Sequence, residues 1–283
     1  MQRYKILHRT YYNFSNPVQL GSHYLHLRPR EDYELHVESL SLKITPTAKL
    51  LWHRDAEGNS VAIANFDTPT TQLVIESEII IQQYNETPLD FLVSEYAVDY
   101  PFAYPFNDRM LLLPYMAYPE PETFNILTKW LSSFWVNGEK IQTFALLDRL
   151  SGHINHSLSY CIREEQGVQS AKETLAKGTG SCRDFAVLFM ETARCLGLAS
   201  RFVSGYLHSA PSATDYGATH AWAEVYLPGA GWKGFDPTSG VLVGTDHIAV
   251  AVARDPESVP PIAGSFFGEA ETTLDVGVWV TQC

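Results

Sequence analysis

The sequence predicts an α+β fold, because strand-type alternation fills its first third, helical periodicity its middle, and a second run of strand patterns follows the helices. In the first part Leu40, Leu42 and Ile44 alternate with Ser41 and Lys43. Val61 and Ile63 repeat the rhythm, and residues 73–81 are rich in β-branched side chains. Asp55, Gly58 and Asn59 supply turn chemistry between them, so residues 1–84 read as an antiparallel β domain. Residues 85–121 hold Pro101, Pro105, Pro114, Pro119 and Pro121 among many aromatics. Proline removes a backbone donor, so this stretch reads as a connection draped over the surface.

Helical spacing starts at about residue 122. Phe124, Leu127, Trp130, Leu131 and Phe134 form one apolar stripe, and Ile141, Phe144, Leu147, Leu150 and Ile154 form another. Ser170 and Glu173 have the spacing of a capping box, which predicts a short helix over 171–176 that stops at Gly178. Three strands are expected next, at 201–207, 220–227 and 232–236, with residues 228–231 joining the last two. These segments make a core over 122–245. The tail, 246–283, offers two more strands that could return to the β domain or to the core.

Composition narrows the function. The 283 residues are 45% hydrophobic, enough for a sizeable core, and carry a formal net charge of -12. Such a surface repels a phosphate backbone, so nucleic acid is not expected as a partner. The cluster Arg28, Pro29, Arg30 reads as a solvated turn. No run of about eighteen apolar residues suggests a membrane span, and the first residues lack the pattern of a secretory signal. A soluble, cytoplasmic protein is expected. Cys161, Cys182, Cys195 and Cys283 are the four cysteines, with no CxxC pair. Neither a disulfide framework nor a zinc knuckle follows, and His153, His156 and Cys161 lack four-ligand spacing. No metal and no cofactor is expected.

Cys182 is the cysteine with chemistry around it. Gly178 and Gly180 precede a helix whose apolar face carries Phe185, Ala186, Phe189 and Ala193, and Cys182 belongs to that face at its N-terminal end. A helix N-terminus favours an anion, and a thiolate is one. A thousandfold gain in thiolate needs about 4 kcal/mol. The dipole supplies about 0.3 to 2, so an imidazolium must do the rest. Cys195, in the same helix among Leu188, Thr192 and Leu196, reads as structural. His220 offers the imidazole: it shares a strand face with Trp222, Glu224 and Tyr226, while Ala221 and Ala223 on the other face leave room for a helix. Asp236 ends the next strand, where a carboxylate can hold the imidazole in one tautomer. An ideal hairpin pairing Leu227 with Trp232 would put Asp236 opposite Ala223, roughly 10 Å from His220. A longer turn, strong twist or a bulge near Gly234 is expected to close that gap.

The runs Gly178–Ala186, Gly197–Tyr206, His220–Gly229 and Gly231–Thr238, in this order, resemble the bacterial transglutaminase-like proteins, a branch of the papain-like thiol superfamily. His8, Thr10, Tyr12, the segment 27–30, Asp55, Gly58 and Asn59 resemble the β domain that precedes this core, and residues 253–264 the family's tail. The resemblance implies a β sandwich-like N-terminal domain followed by a papain-like α+β core, with the nucleophile at a helix N-terminus packed on an antiparallel sheet. It puts Cys182, His220 and Asp236 on the triad positions, and Asp184 on a position read as structural. The expected function is that of a thiol enzyme acting on protein or peptide amides through a thioester, a cysteine protease or amidase. The alternatives are a protein-glutamine transamidase and a non-catalytic protein-binding module. The oxyanion would be held by the Cys182 backbone N–H with Tyr160 as candidate second donor, and Trp222, Gly180 and Ser181 are candidates for the substrate site.

Overall fold

The computed structural model describes residues 1–84, 87, 89–163, 165–208 and 219–283. The first third is strands: β1 (Gln2–Leu20), β2 (His23–Leu25), β3 (Leu35–Thr45), β4 (Lys49–Arg54), β5 (Ser60–Asn65) and β6 (Thr70–Gln83). The middle holds β7 (Asp99–Tyr100), α1 (Phe106–Leu112), α2 (Pro121–Leu131), β8 (Ile141–Gln142), α3 (Thr143–Ser157), β9 (Ser159–Tyr160), α4 (Ala171–Lys177), β10 (Thr179–Gly180) and α5 (Cys182–Cys195). Strands then return as β11 (Ser200–Leu207), β12 (His220–Leu227), β13 (Gly231–Asp236), β14 (Val241–Leu242), β15 (His247–Ala253), β16 (Ile262–Ala263), β17 (Phe266–Phe267) and β18 (Thr272–Gln282). The α+β class is as expected. The connection over 85–121 is more ordered than its prolines suggest. Pro105 precedes α1 as its N-cap, a position that asks for no intrahelical N–H.

The N-terminal domain is two antiparallel sheets. The long one has the order β17-β1-β6-β3 with β18 also on β1, and the short one β16-β2-β5-β4. Burial alternates along β1, with Tyr4, Ile6, His8 and Thr10 inward, which is the period of a half-buried strand. Phe14, Val18, Leu73 and Ile75 of the long sheet pack on Leu25, Ala62 and Ala64 of the short one. The other end of the long sheet packs elsewhere. Its Tyr4, Ile6, Ile79 and Ile81 meet Tyr206, Ile248 and Val250 of the sheet that carries β11 and β15. The tail therefore serves both domains, with β15 joining β11 in the core and β18 running along β1.

The core sheet is antiparallel, in the order β14-β13-β12-β11-β15. On one face lies α5, which sets Phe185, Ala186, Phe189 and Ala193 against Ala221, Ala223, Val225 and Phe235. The alanines of β12 let the helix approach closely, and each large side chain buried there contributes about 1.5 to 3 kcal/mol. Helix α4 is stopped as predicted: Ser170 Oγ accepts the Glu173 N–H, and Gly178 takes a φ of +66° at the C-cap. Arg30 corrects one expectation. It is not a solvated turn residue, since its guanidinium donates to Glu57 O at 3.1 Å and Asn59 Oδ1 at 2.6 Å, and its backbone N–H donates to Ala249 O at 2.9 Å. Asn59, fully buried, also bonds both backbone groups of Val252. No described helix is long and apolar enough to cross a membrane.

Candidate active site

Cys182 is the first residue of α5, where backbone N–H groups have no intrahelical acceptor. It is 9% exposed, and its sulfur lies against the His220 imidazole. That ring is the first residue of β12 and donates from Nε2 to Asp236 Oδ2 at 2.9 Å. With Nε2 engaged, Nδ1 is the nitrogen left for the sulfur. Burial pushes the imidazole towards its neutral form. The Asp236 carboxylate and then Cys182 outweigh it and raise its pKa to about 10. The three residues thus form one hydrogen-bonded and charge-coupled row.

Asp236 reaches His220 by a register that differs from the expected one. Leu227 pairs with Gly231 rather than with Trp232, so residues 228–230 form a three-residue loop and Gly231, at φ +77°, belongs to the ladder. This moves β13 one residue toward His220, since Ala223 now faces Phe235 and the carboxylate follows beyond it. The remaining two-residue offset is about 7 Å along the strand, which the two side chains span. The pairing runs unbroken through Gly234, so the expected bulge there is absent. A side chain at Gly234 would collide with Val243, whose Cβ lies 2.6 Å from the site of an added Cβ.

The Asp236 carboxylate is fully buried and fully used. Oδ2 accepts from His220, from Ser239 Oγ at 2.6 Å and from His247 Nε2 at 3.2 Å, while Oδ1 accepts the Thr238 N–H at 2.9 Å. Burial alone would raise its pKa. The donors, His220 and His247 foremost, reverse this and hold it far below the usual carboxylate range. His247 and Ser239 escaped the sequence reading, which saw no functional company around any histidine but His220. The β11–β15 pairing, Leu207 facing His247, carries this ring to the end of the sheet where His220 and Asp236 meet.

A second buried carboxylate anchors the start of α5. Asp184 accepts from Ser181 N–H and Oγ, each at 2.8 Å, from Gln169 N–H at 2.7 Å and Nε2 at 3.0 Å, and from Arg163 Nε at 2.8 Å. These donors overcome its burial and lower its pKa to about 2. Its role is structural, as expected. The Ser181 hydroxyl is thereby committed to Asp184. Gly180 is buried too, and a Cβ there would lie 2.9 Å from Asp184 Cβ. Neither offers a free side-chain group to a substrate, contrary to the expectation for them. Trp222 likewise does not wall an open site. It is 1% exposed, its ring 5.2 Å from that of His247 and 6.1 Å from that of His220, so it supports the imidazoles from beneath. Tyr160 is 52% exposed, pairs with Gly180 across the β9–β10 bridge and sets its ring edge-on to Phe185.

Among the described residues His220, Asp236 and His247 are the set that could hold a metal ion, their ligand atoms lying within 4.8 Å of one another. The separations of 2.9 and 3.2 Å are those of shared protons. His153 instead lies against Trp130 and Phe134, and His156 Nδ1 bonds Gly152 O.

Residues 4–82 match the bacterial transglutaminase-like N-terminal region, and residues 136–237 match the transglutaminase-like superfamily core. In this order the two regions resemble the N-terminal region of bacterial transglutaminase-like proteins and the transglutaminase-like core. An uncharacterized protein of Mycobacterium leprae is 26% identical over all of this chain and 99% of its own length. One from Mycobacterium tuberculosis is 28% identical over 98% of this chain and 91% of its own. A crystal structure named "Putative Cysteine Protease from Cytophaga hutchinsonii" shares the fold, with a TM-score of 0.75 at 18% identity over 99% of this chain and 90% of that one.

Proposed function

We propose that this transglutaminase-like protein is a thiol hydrolase that cleaves amide bonds of proteins or peptides. One observation carries the reading: a buried imidazole held between the sulfur of Cys182 and a carboxylate 2.9 Å away, with its pKa raised to about 10. At neutral pH that ring is an imidazolium, and a thiolate is its natural partner. Cys182 Sγ attacks the amide carbon, and the oxyanion falls to the Cys182 backbone N–H at the start of α5. Tyr160, beside Gly180, is the proposed second donor. His220 gives its proton to the leaving nitrogen as the C–N bond breaks. A water then loses a proton to His220 and attacks the thioester, releasing the acid and restoring the thiolate beside the imidazolium. Asp236 holds the imidazole in place throughout.

The fold's likeness to a structure named as a cysteine protease supports hydrolysis, and water needs no second binding site. An acceptor amine resolving the same thioester would make the reaction a transamidation. Thiol chemistry and three further free cysteines suit a reducing compartment, so we assign the protein to the cytoplasm. Incubation of glutamine-containing peptides with and without a primary amine, read by mass spectrometry, tests the reading. Deamidated or cleaved product in both samples is expected. Amine incorporation above hydrolysis would make the enzyme a transamidase, and no conversion of any peptide would favour a binding module.

A further inference from the structure

The core match ends at residue 237, and the last donor to Asp236 lies ten residues beyond it, at the start of β15. His247 is 8% exposed, and its ring is fixed on three sides. The Gly244 N–H donates to its Nδ1 at 3.3 Å, so that nitrogen carries the lone pair and Nε2 carries the proton. Nε2 then has a single role, to donate to Asp236 Oδ2 at 3.2 Å. The Trp222 ring meets it edge to face at 5.2 Å and closes the apolar side. Next along the strand, Ile248 and Val250 are locked under the N-terminal domain by Tyr4, Ile6, Ile79 and Ile81.

We infer that His247 is a positioning residue of this active site: it holds the Asp236 carboxylate in the orientation that His220 needs. The geometry distinguishes this from simple packing. Oδ2 accepts from two imidazoles at once, and the oxygen bound to the base is the one His247 restrains. A carboxylate with one of these donors removed keeps the Thr238 and Ser239 bonds, both on its own chain segment, and loses the only side-chain tie among the described contacts that comes from β15. Rotation about the Asp236 side chain would then weaken the bond to His220 and with it the imidazolium that partners Cys182.

The inference rests on the thiol–imidazole reading, so its test reads the thiol itself. The rate of Cys182 alkylation by iodoacetamide is followed from pH 5 to 9 in the wild type, His247→Gln and His247→Met, with melting temperatures taken alongside. Gln carries an N–H donor at about the reach of Nε2, and Met fills similar volume without one. The wild type should alkylate rapidly at pH 6. H247M should lose about tenfold at pH 6 and regain rate as the pH rises, while H247Q stays within about threefold of the wild type. Equal rates and profiles in wild type and H247M would overturn the role of His247 alone. A slow wild type at pH 6 would overturn the reading beneath it. Should H247M not fold, H247Q decides: it must keep the wild-type profile, and a loss as large as tenfold in a folded H247Q contradicts the inference.

Discussion

At the residue scale, the chemistry depends on a short list of side chains with no spare hydrogen-bonding capacity. Asp236 accepts four hydrogen bonds while wholly buried, so its exchange for Asn would place an amide where only acceptors fit. Asp236→Asn should therefore lower turnover by about 10³ to 10⁴, the scale of a triad whose base is held in the wrong tautomer, and steady-state rates on a cleaved peptide check it. Cys182, His220 and Asp236 were all legible in the sequence, because each sits in a short run whose neighbours explain it: glycines before a helix, alanines beside a strand histidine, a strand end before proline. His247 was not. Nothing within ten residues of it marks it out, and its meaning comes from a strand pairing with residues forty positions away.

Elements explain where those residues stand. Helix α5 begins at Cys182 because Asp184 gathers six donors from Ser181, Gln169 and Arg163, and these tie the helix start to the loop before α4. Asp184→Ala removes the buried carboxylate to which Arg163 Nε and the Gln169 backbone N–H donate, and should destabilise the protein by about 3 to 5 kcal/mol in chemical denaturation. Gly180→Ala should cost about 1 to 3 kcal/mol by overpacking, because the added methyl meets Asp184 and Phe185 at 2.9 and 3.1 Å. The β12–β13 hairpin shows where sequence reasoning stopped. Polar loop residues marked the turn, but whether it held two, three or four residues was set by Gly231 taking a positive φ inside the ladder. One residue of register brings Asp236 nearer to His220 than the ideal turn would.

The whole molecule behaves as two domains sharing a tail. Strand β15 belongs to the core sheet, yet Ile248 and Val250 are buried against the N-terminal sheet, and Asn59 and Arg30 bond the backbone of the same strand. Ile6→Ala should cost about 2 to 5 kcal/mol as a cavity at this junction, measured by urea denaturation. Stability should also follow pH in a defined way. His220 has a raised pKa in the folded state, so its contribution is complete below about pH 6.5 and is lost as pH rises through about 10. His8, buried at the domain junction and lowered to about 4 by burial, acts oppositely: stability falls as pH drops from about 6.5 towards 4. Melting temperatures should peak near pH 6.5, and His8→Gln should flatten the acid side. The β domain and core were both readable from periodicity and motif. Their junction was not, because no local pattern tells which end of a long strand faces which neighbour.

The proposed chemistry needs Cys182 to be made nucleophilic by His220, and alkylation of the wild type and of His220→Ala at pH 6, against a free cysteine peptide, measures that directly. Cys182 should react at least about tenfold faster than the peptide and fall to its rate or below in H220A. Equal rates for the wild type and the peptide, or no loss in H220A, would contradict it.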